Sequence, residues 1–462
     1  MRQREELEEK QKALKYSIIE GSATSASTGL GDSIITPFAL QIVPESISNI
    51  FIGLLSSFSL LLSQILQKPG TRLIKKHPRK SIVLFTVAIQ ATMWLAIGSL
   101  AILRAFSIIT GWLPILLVIF YSGIAILTGL HYPAWFSWMG DLVPDDERGR
   151  YFSKRNLIIG IIALATALLA GFLLKTFKEH DYLLLGFSIL FFLAFVFRMI
   201  SKFYLNKQYA PPGGYKKEEL ISYKEFKKNY KNFYKFSIYQ AFFNFAIYIA
   251  SPFFAVYMLQ DLKFDYATYM IVSVSSTAFY LLFLTPIGKF SDKYGNLKLL
   301  YLANLAFVFS PVAWMFTRNP IILIIIPQII SGIANATLTI AVTNFTYASI
   351  PAHYRASSIS YHSILVGIGI FLGSIIGGLV LNYIPIAFMN KFLFIFLIAA
   401  ILRFVVGIFF LPQLKEARLA MHIKPLHMHI SAPFKFVNAS LHSITATGQK
   451  SFSQGLKVWN SV

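Results

Sequence analysis

Cysteine is absent from this 462-residue sequence, which excludes disulfides, thiolate metal sites and cysteine nucleophiles. Charge is scarce as well: Asp, Glu, Lys and Arg make up 13% of residues, against 56% hydrophobic. A water-soluble protein of this length needs charged side chains over its exterior, so the composition excludes that class. Acids are the rarest, 20 against 42 Lys and Arg, leaving a formal net charge of +22. Residues 1–15 lack the short apolar stretch of a cleavable signal. They mix Glu5, Glu6, Glu8 and Glu9 with Arg4, Lys10 and Lys12 and read as a cytoplasmic lead-in helix. No metal cluster, nucleophile elbow or phosphate loop is recognisable, so neither an enzyme nor a resident cofactor or metal is expected.

What the sequence holds in abundance is long apolar runs. Mean hydropathy is +0.61, and 43 Phe and 23 Tyr suit lipid-facing and interfacial positions. Stretches long enough to cross a bilayer, roughly 17–25 residues, predict helices at 15–40, 46–66, 80–103, 111–139, 151–175 and 181–203. A second set is predicted at 235–260, 264–288, 297–317, 319–347, 356–384 and 387–411. The first is weakest on hydropathy, because Gly21 to Ser33 is rich in Ser, Thr and Gly. Internal symmetry argues for keeping it.

Three anchors repeat in order. Thr36-Pro37-Phe38-Ala39 is echoed 215 positions later by Ser251-Pro252-Phe253-Phe254. Gly70 with Lys75, Lys76 and Arg79 is echoed 218 positions later by Gly288 with Lys289, Lys293 and Lys298. Pro144, Arg148 and Gly149 are echoed 207 positions later by Pro351, Arg355 and Ala356. Such regularity argues for a duplicated six-span unit. The expected fold is all-α: a polytopic membrane protein with twelve transmembrane helices in two pseudo-symmetric six-helix bundles. Its expected parts are a lead-in (1–14), an N-terminal bundle (15–204), a linker (205–234), a C-terminal bundle (235–411) and a basic tail (412–462). The linker is too polar and too rich in Pro and Gly for hydrocarbon, and a short amphipathic helix is expected near Glu218 to Lys231.

Placed with the N-terminus inside, the outer face holds only Arg104, Lys175, Lys178, Lys263, Arg318 and Lys391 of the 42 Lys and Arg. The positive-inside rule then puts both termini in the cytoplasm of a cell membrane. Topology thus accounts for the basic balance, and no nucleic-acid partner is expected. The tail after Arg418 has no acid, and two readings stand side by side: an arm on anionic lipid or a disordered segment. Its histidines (His422, His427, His429, His442) have no spacing suited to a metal.

The run from Gly288 to Lys298, GKFSDKYGNLK, resembles the loop motif of the major facilitator superfamily. Gly288 is expected to let helix ends approach and Gly295 to turn the chain. The resemblance implies that Asp292 and Lys293 belong to a conformational latch, with Arg355 as the acid's partner. In the first-half copy Ile74 stands in the acid's place and His77 in that of the second glycine, so Asp141 or Asp145 is considered as partner for Arg148. The stretch Asp141 to Phe152 is also similar to the family's loop between spans four and five. The proline–glycine motif of drug/proton antiporters in span five and the acidic–proline motifs of sugar porters are both missing.

The resemblance implies a central cavity lined by spans one, four, seven and ten. On span one, Ser25, Thr28, Asp32 and Thr36 share a face, beside a stripe of Glu20, Thr24, Ser27 and Gly31. Glu20 and Asp32 lie about 18 Å apart along the axis and are not a paired dyad. Span four offers Thr128, His131, Trp135 and Trp138; span seven Gln240, Asn244, Tyr248 and Ser251; span ten Asn335, Thr339 and Thr343. A lone Ser or Thr of this kind usually just packs helices together, but the stripes collectively argue for a cavity. Gly369, Gly373 and Gly377 read as close packing. Asp32 is the expected proton-coupling group, with Glu20 and His131 as further candidates. No Arg is read as clearly mid-membrane, which counts against a dedicated anion site. The reading is a secondary transporter, symporter or antiporter, with a small-molecule substrate, protons and the bilayer as partners, acting as a monomer. An uncoupled uniporter, or a non-transporting sensor or lipid-handling protein, are the alternatives.

Overall fold

The computed structural model describes residues 2–143, 148–211, 221–351 and 354–416, with side chains left out at 2–7, 148–150, 292, 355 and 356. These residues are almost entirely helical, with no strand among them. In hydrocarbon every backbone N–H and C=O must be satisfied within the chain, and an apolar run does that by forming a helix.

The first half consists of α1 (Arg2–Ile42), α2 (Ser48–Leu73), α3 (Arg79–Ala105), α4 (Leu113–Leu142), α5 (Arg148–Glu179) and α6 (Leu183–Lys207). A short helix follows, α7 (Tyr223–Asn229). It opens on a capping box in which Ser222 and Glu225 satisfy each other's amides; residues 218–220 of the helix expected in the linker lie outside the described residues. The second half consists of α8 (Lys231–Tyr248), α9 (Phe253–Val256), α10 (Tyr266–Tyr294), α11 (Asn296–Ala313), α12 (Pro320–Leu323), α13 (Ile329–Ser349), α14 (Arg355–Tyr383) and α15 (Lys391–Phe410).

Among the described residues, eleven helices are long and apolar enough to cross a membrane. The first falls short on hydropathy, as its Ser, Thr and Gly content foretold. It is nonetheless packed between α5 and α6 inside the bundle, where Ser27 Oγ donates to the Ala194 carbonyl at 2.8 Å. The lead-in is no separate element, because α1 runs unbroken from Arg2 to Ile42.

Pro37 and Pro252 occupy matching places in the sequence repeat but differ in structure. Pro37 lies inside continuous helix. At Pro252 span seven breaks, passing from α8 through residues 249–252 to α9 and then a wide π turn at Tyr257–Asp261. Span ten has a matching π turn at Ile324–Gln328, between α12 and α13. Such turns leave backbone groups unpaired within the helix and recur at functional sites.

Lipid offers no hydrophobic drive for helices to associate, so close contact comes from small residues. A β-carbon at Gly369, Gly373 or Gly377 of α14 would collide with the carbonyl oxygens of Ala241, Phe245 and Ile249 in turn. The predicted packing role of this ladder is realised. Between halves, α14 packs on α2 and α10 on α5.

At the face away from the N-terminus one hydrophobic core spans both halves, joining Ile34, Phe38 and Phe187 to Phe253, Tyr257 and Met270. At the opposite face each half has its own core, around Trp138 in the first and around Phe236 and Phe345 in the second. Polar contacts reinforce the shared side: Gln41 Nε2 donates to the Tyr266 hydroxyl at 3.2 Å, Lys175 stands 3.9 Å from Asp265, and Asn382 donates to the Ser46 carbonyl. The two halves are therefore closed together at the far face.

Candidate functional site

The polar residues of span one face a charged network inside the first half. Glu20, 3% exposed, pairs with Arg155 of α5 at 2.9 Å. The Arg155 guanidinium also lies over the Trp135 ring, 4.9 Å from its centroid, and donates to the Ser17 carbonyl. Trp135 thus covers an ion pair and does not line the cavity found below.

Arg198 of α6 is buried about one turn further along α1, beside Thr24. It donates to Thr24 Oγ1 at 2.7 Å and to the Gln90 side-chain oxygen, while Gln90 Nε2 donates to Thr128 at 2.7 Å. Thr24 and Thr128 therefore tie helices together. His131 is buried, with Nδ1 2.9 Å from the Leu127 carbonyl one turn back, the arrangement of a satisfied core histidine.

Asp32 sits about 15 Å from the far end of α1, ten residues before Ile42. Its carboxylate faces the hydroxyls of Thr28 and Tyr121 and lies in the field of Arg198. Among the described residues it makes no salt bridge. Arg198 stands in the field of both Glu20 and Asp32, so these two acids and Arg155 and Arg198 form a charge-balanced set. Tyr121 is in turn close enough to Tyr248 of span seven for the two phenols to interact. Ser25 and Thr36 are partly exposed and Thr28 is exposed.

A cavity of about 400 Å³ lies in the second half. Of the expected residues Asn244, Tyr248, Ser251 and Asn335 line it; Gln240 is buried away from it and Thr339 lies outside. Spans eight, nine and twelve contribute too, through Ser276, Ser310, Trp314 and Arg403. None of the expected residues of spans one and four lines this cavity. Asn335, Thr339 and Thr343 are exposed along one stripe of span ten, and a polar stripe on an inner helix marks a water-accessible path.

Arg403 is 2% exposed. Its Nε and Nη2 donate to the carbonyls of Ala246 and Ile247 at 3.2 and 3.1 Å, just before the break in span seven. Nη1 donates to the Phe307 carbonyl at 2.7 Å. The expectation of no mid-membrane arginine is therefore corrected by both Arg198 and Arg403. Their signal was present in the repeat: Ala194-x-x-x-Arg198 recurs 205 positions later as Ala399-x-x-x-Arg403.

At the face of the N-terminus, Gly295 has φ +89° and turns the chain as expected. At Gly288, among the described residues, only Ile340 Cδ1, at 4.0 Å, comes near the place of a β-carbon, so no close helix approach is seen there. In the first-half copy Gly70 does serve it, lying against the Leu130 carbonyl. Asp141 pairs with Arg79 at 2.7 Å. Glu416, which the sequence reading passed over, caps α11 through the amides of Asn296 and Leu297 at 3.1 and 2.9 Å. Lys293 lies beside the Tyr294 ring. The side chains of Arg148, Asp292 and Arg355 lie outside the described residues, as does Asp145.

The family model described as Major Facilitator Superfamily matches residues 22–244 and 236–425. Among solved structures, a mutant of the nucleoside transporter NupG aligns with a TM-score of 0.69 at 15% identity, covering 87% of this chain and 100% of that one. A D-xylose–proton symporter aligns at 0.66 and 15% identity, over 88% and 98%. A bacterial homolog of the human lysosomal transporter Spinster, inward-facing and unoccupied, aligns at 0.64 and 16% identity, over 89% and 99%. At these identities the likeness is one of fold. No curated protein matches the sequence.

Proposed function

The chain belongs to the major facilitator superfamily, and from that premise we propose that this multi-pass membrane transporter moves a small solute by alternating access, coupled to protons at Asp32. The observation that carries the coupling is the setting of that carboxylate. It is an acid within a spanning helix, faced by two hydroxyls, without a salt bridge among the described residues, and near Tyr121, which in turn interacts with Tyr248 on the cavity wall. An intramembrane acid in such a position is by default a functional group. Protonating it changes the set Glu20, Asp32, Arg155 and Arg198 from neutral to net positive, and a ligand or proton shifts a conformational equilibrium only through such a difference between states.

The contacts closing the far face are the ones that must part in the other state: Lys175 with Asp265, Gln41 with Tyr266, and Asn382 with Ser46. The loop around Asp292 and Lys293, with Arg148 and Arg355 opening α5 and α14, is proposed as the opposing latch. The skew of Lys and Arg supports a cell-membrane orientation with both termini in the cytoplasm.

Reconstituted vesicles test the coupling. Solute uptake should follow an imposed pH gradient in the parent protein. In Asp32→Asn, solute exchange should persist while response to the gradient is lost. Gradient-driven accumulation by Asp32→Asn at the parent rate would remove Asp32 from the coupling role.

A further inference from the structure

We propose that the cavity of the second half takes a small organic monoanion, its oxyanion group held by Arg403. This deepens the transport reading and rests on it for the ligand's being cargo.

Charge balance is the first ground. Inside the first half two arginines face two acids, and Arg198 stands in the field of both. Arg403, its counterpart 205 positions on, has no charged neighbour of that kind among the described residues. From residue 235 to 411 the only acids are Asp261, Asp265 and Asp292. The first two flank the far-face connection between spans seven and eight, and the third lies two residues from the end of α10. None lines the cavity. A buried cation without a counter-ion is costly, and within a membrane it marks a pathway or a ligand site. One negative charge is missing from this half.

Hydrogen-bond capacity is the second. A guanidinium offers five N–H donors. Nε and one N–H each of Nη1 and Nη2 go to the carbonyls of Phe307, Ala246 and Ile247. One N–H therefore remains on each terminal nitrogen, which suits the two oxygens of a single carboxylate or two oxygens of a phosphate ester. Carbonyl partners complete the splinting of span seven at its break, but dipoles do not cancel the charge.

The rest of the wall agrees. Asn244, Ser251, Ser310 and Asn335 are neutral hydrogen-bonding groups, and the aromatic rings of Phe254 and Trp314 suit an apolar body. About 400 Å³ accommodates a small metabolite-sized molecule.

The test uses the full-length protein in nanodiscs of uncharged lipid. The probes are benzoate, phenylacetate, indole-3-acetate and lactate, each against its neutral amide, with phenyl phosphate as a separate arm. Binding is read by thermal stabilisation and calorimetry. At least one oxyanion should bind, at least tenfold more tightly than its neutral counterpart; the phosphate arm separates carboxylate from phosphate recognition. Arg403→Lys should weaken oxyanion binding about tenfold, and Arg403→Gln should abolish the preference for acid over amide. Because Arg403 also splints span seven, the acid-to-amide ratio of the parent protein decides even where a variant fails to fold. Amides binding as well as acids, or no oxyanion of the panel binding, overturns the proposal. An oxyanion that binds yet never crosses reconstituted vesicles leaves the anion site standing and removes the cargo reading. Flux of a neutral solute untouched by any oxyanion leaves transport standing and removes the site.

Discussion

The Glu20–Arg155 pair should be the most strongly coupled interaction of the first half. Its atoms are 2.9 Å apart and its side chains 4% and 7% exposed. At an effective dielectric constant of about 20 two unit charges at that distance attract by about 6 kcal/mol, and at the water value of about 80 by only about 1.4 kcal/mol. Removing one member of a buried pair typically costs about 3–5 kcal/mol, since the other charge is stranded, whereas removing both is far milder. Glu20→Gln leaves Arg155 and Arg198 facing Asp32 alone, and Arg155→Gln strands Glu20 beside Trp135. The double variant should therefore be less destabilised than the sum of the singles by at least about 3 kcal/mol. Equilibrium unfolding in mixed micelles titrated with dodecyl sulfate measures this, with Trp135 over the Arg155 guanidinium as a local fluorophore. A coupling below about 1 kcal/mol, the level of exposed pairs, would refute the sealed, low-dielectric character assigned to this cluster.

Three further outcomes are expected. Gly373→Val should lower the melting temperature by an overpacking cost of about 1–3 kcal/mol, while Gly288→Ala, with only Ile340 nearby, should stay within about 0.5 kcal/mol of the parent. Asp265→Ala should cost about 1 kcal/mol at neutral pH as a lost N-cap. Partial burial pushes the Asp265 carboxyl up, but the Thr268 hydroxyl and amide, Lys175 and the Ala267 amide together hold it below its ordinary 3.8. Its contribution is thus complete above that value and lost as pH falls through the lower folded-state value, so parent and variant melting curves should converge in acid. Glu416→Ala should speed hydrogen exchange at the amides of Asn296 and Leu297, with about 0.5–2 kcal/mol of capping lost; unchanged exchange there would count against the cap.

Most of the architecture was legible because lipid imposes it: an apolar run of sufficient length has one way to satisfy its backbone. Even the polar first helix was recoverable from the duplicated anchors. Local interruptions were harder to read. Pro37 and Pro252 look alike in sequence, yet only the second stands where its span breaks, and there Arg403, more than 150 residues distant in sequence, donates to the carbonyls of Ala246 and Ile247. Asn244, Tyr248, Ser251 and Asn335 reach the cavity as helical spacing indicated, whereas Trp135 and His131 are bound up in contacts that periodicity does not encode. Both buried arginines were overlooked because hydropathy windows average a single charge away. The alignment of Ala194 and Arg198 with Ala399 and Arg403 would have exposed them. Glu416 was invisible for another reason: capping α11 from beyond α15 requires the helices to be assembled first.

The glycine ladder constrains where a solute can travel. With no side chain between α14 and the carbonyls of span seven over three successive turns, those two helices form a single plank, and no seam between them can widen without tearing it. A permeation route in this protein must therefore run along the other border of span seven, where Asn244, Tyr248 and Ser251 face the cavity.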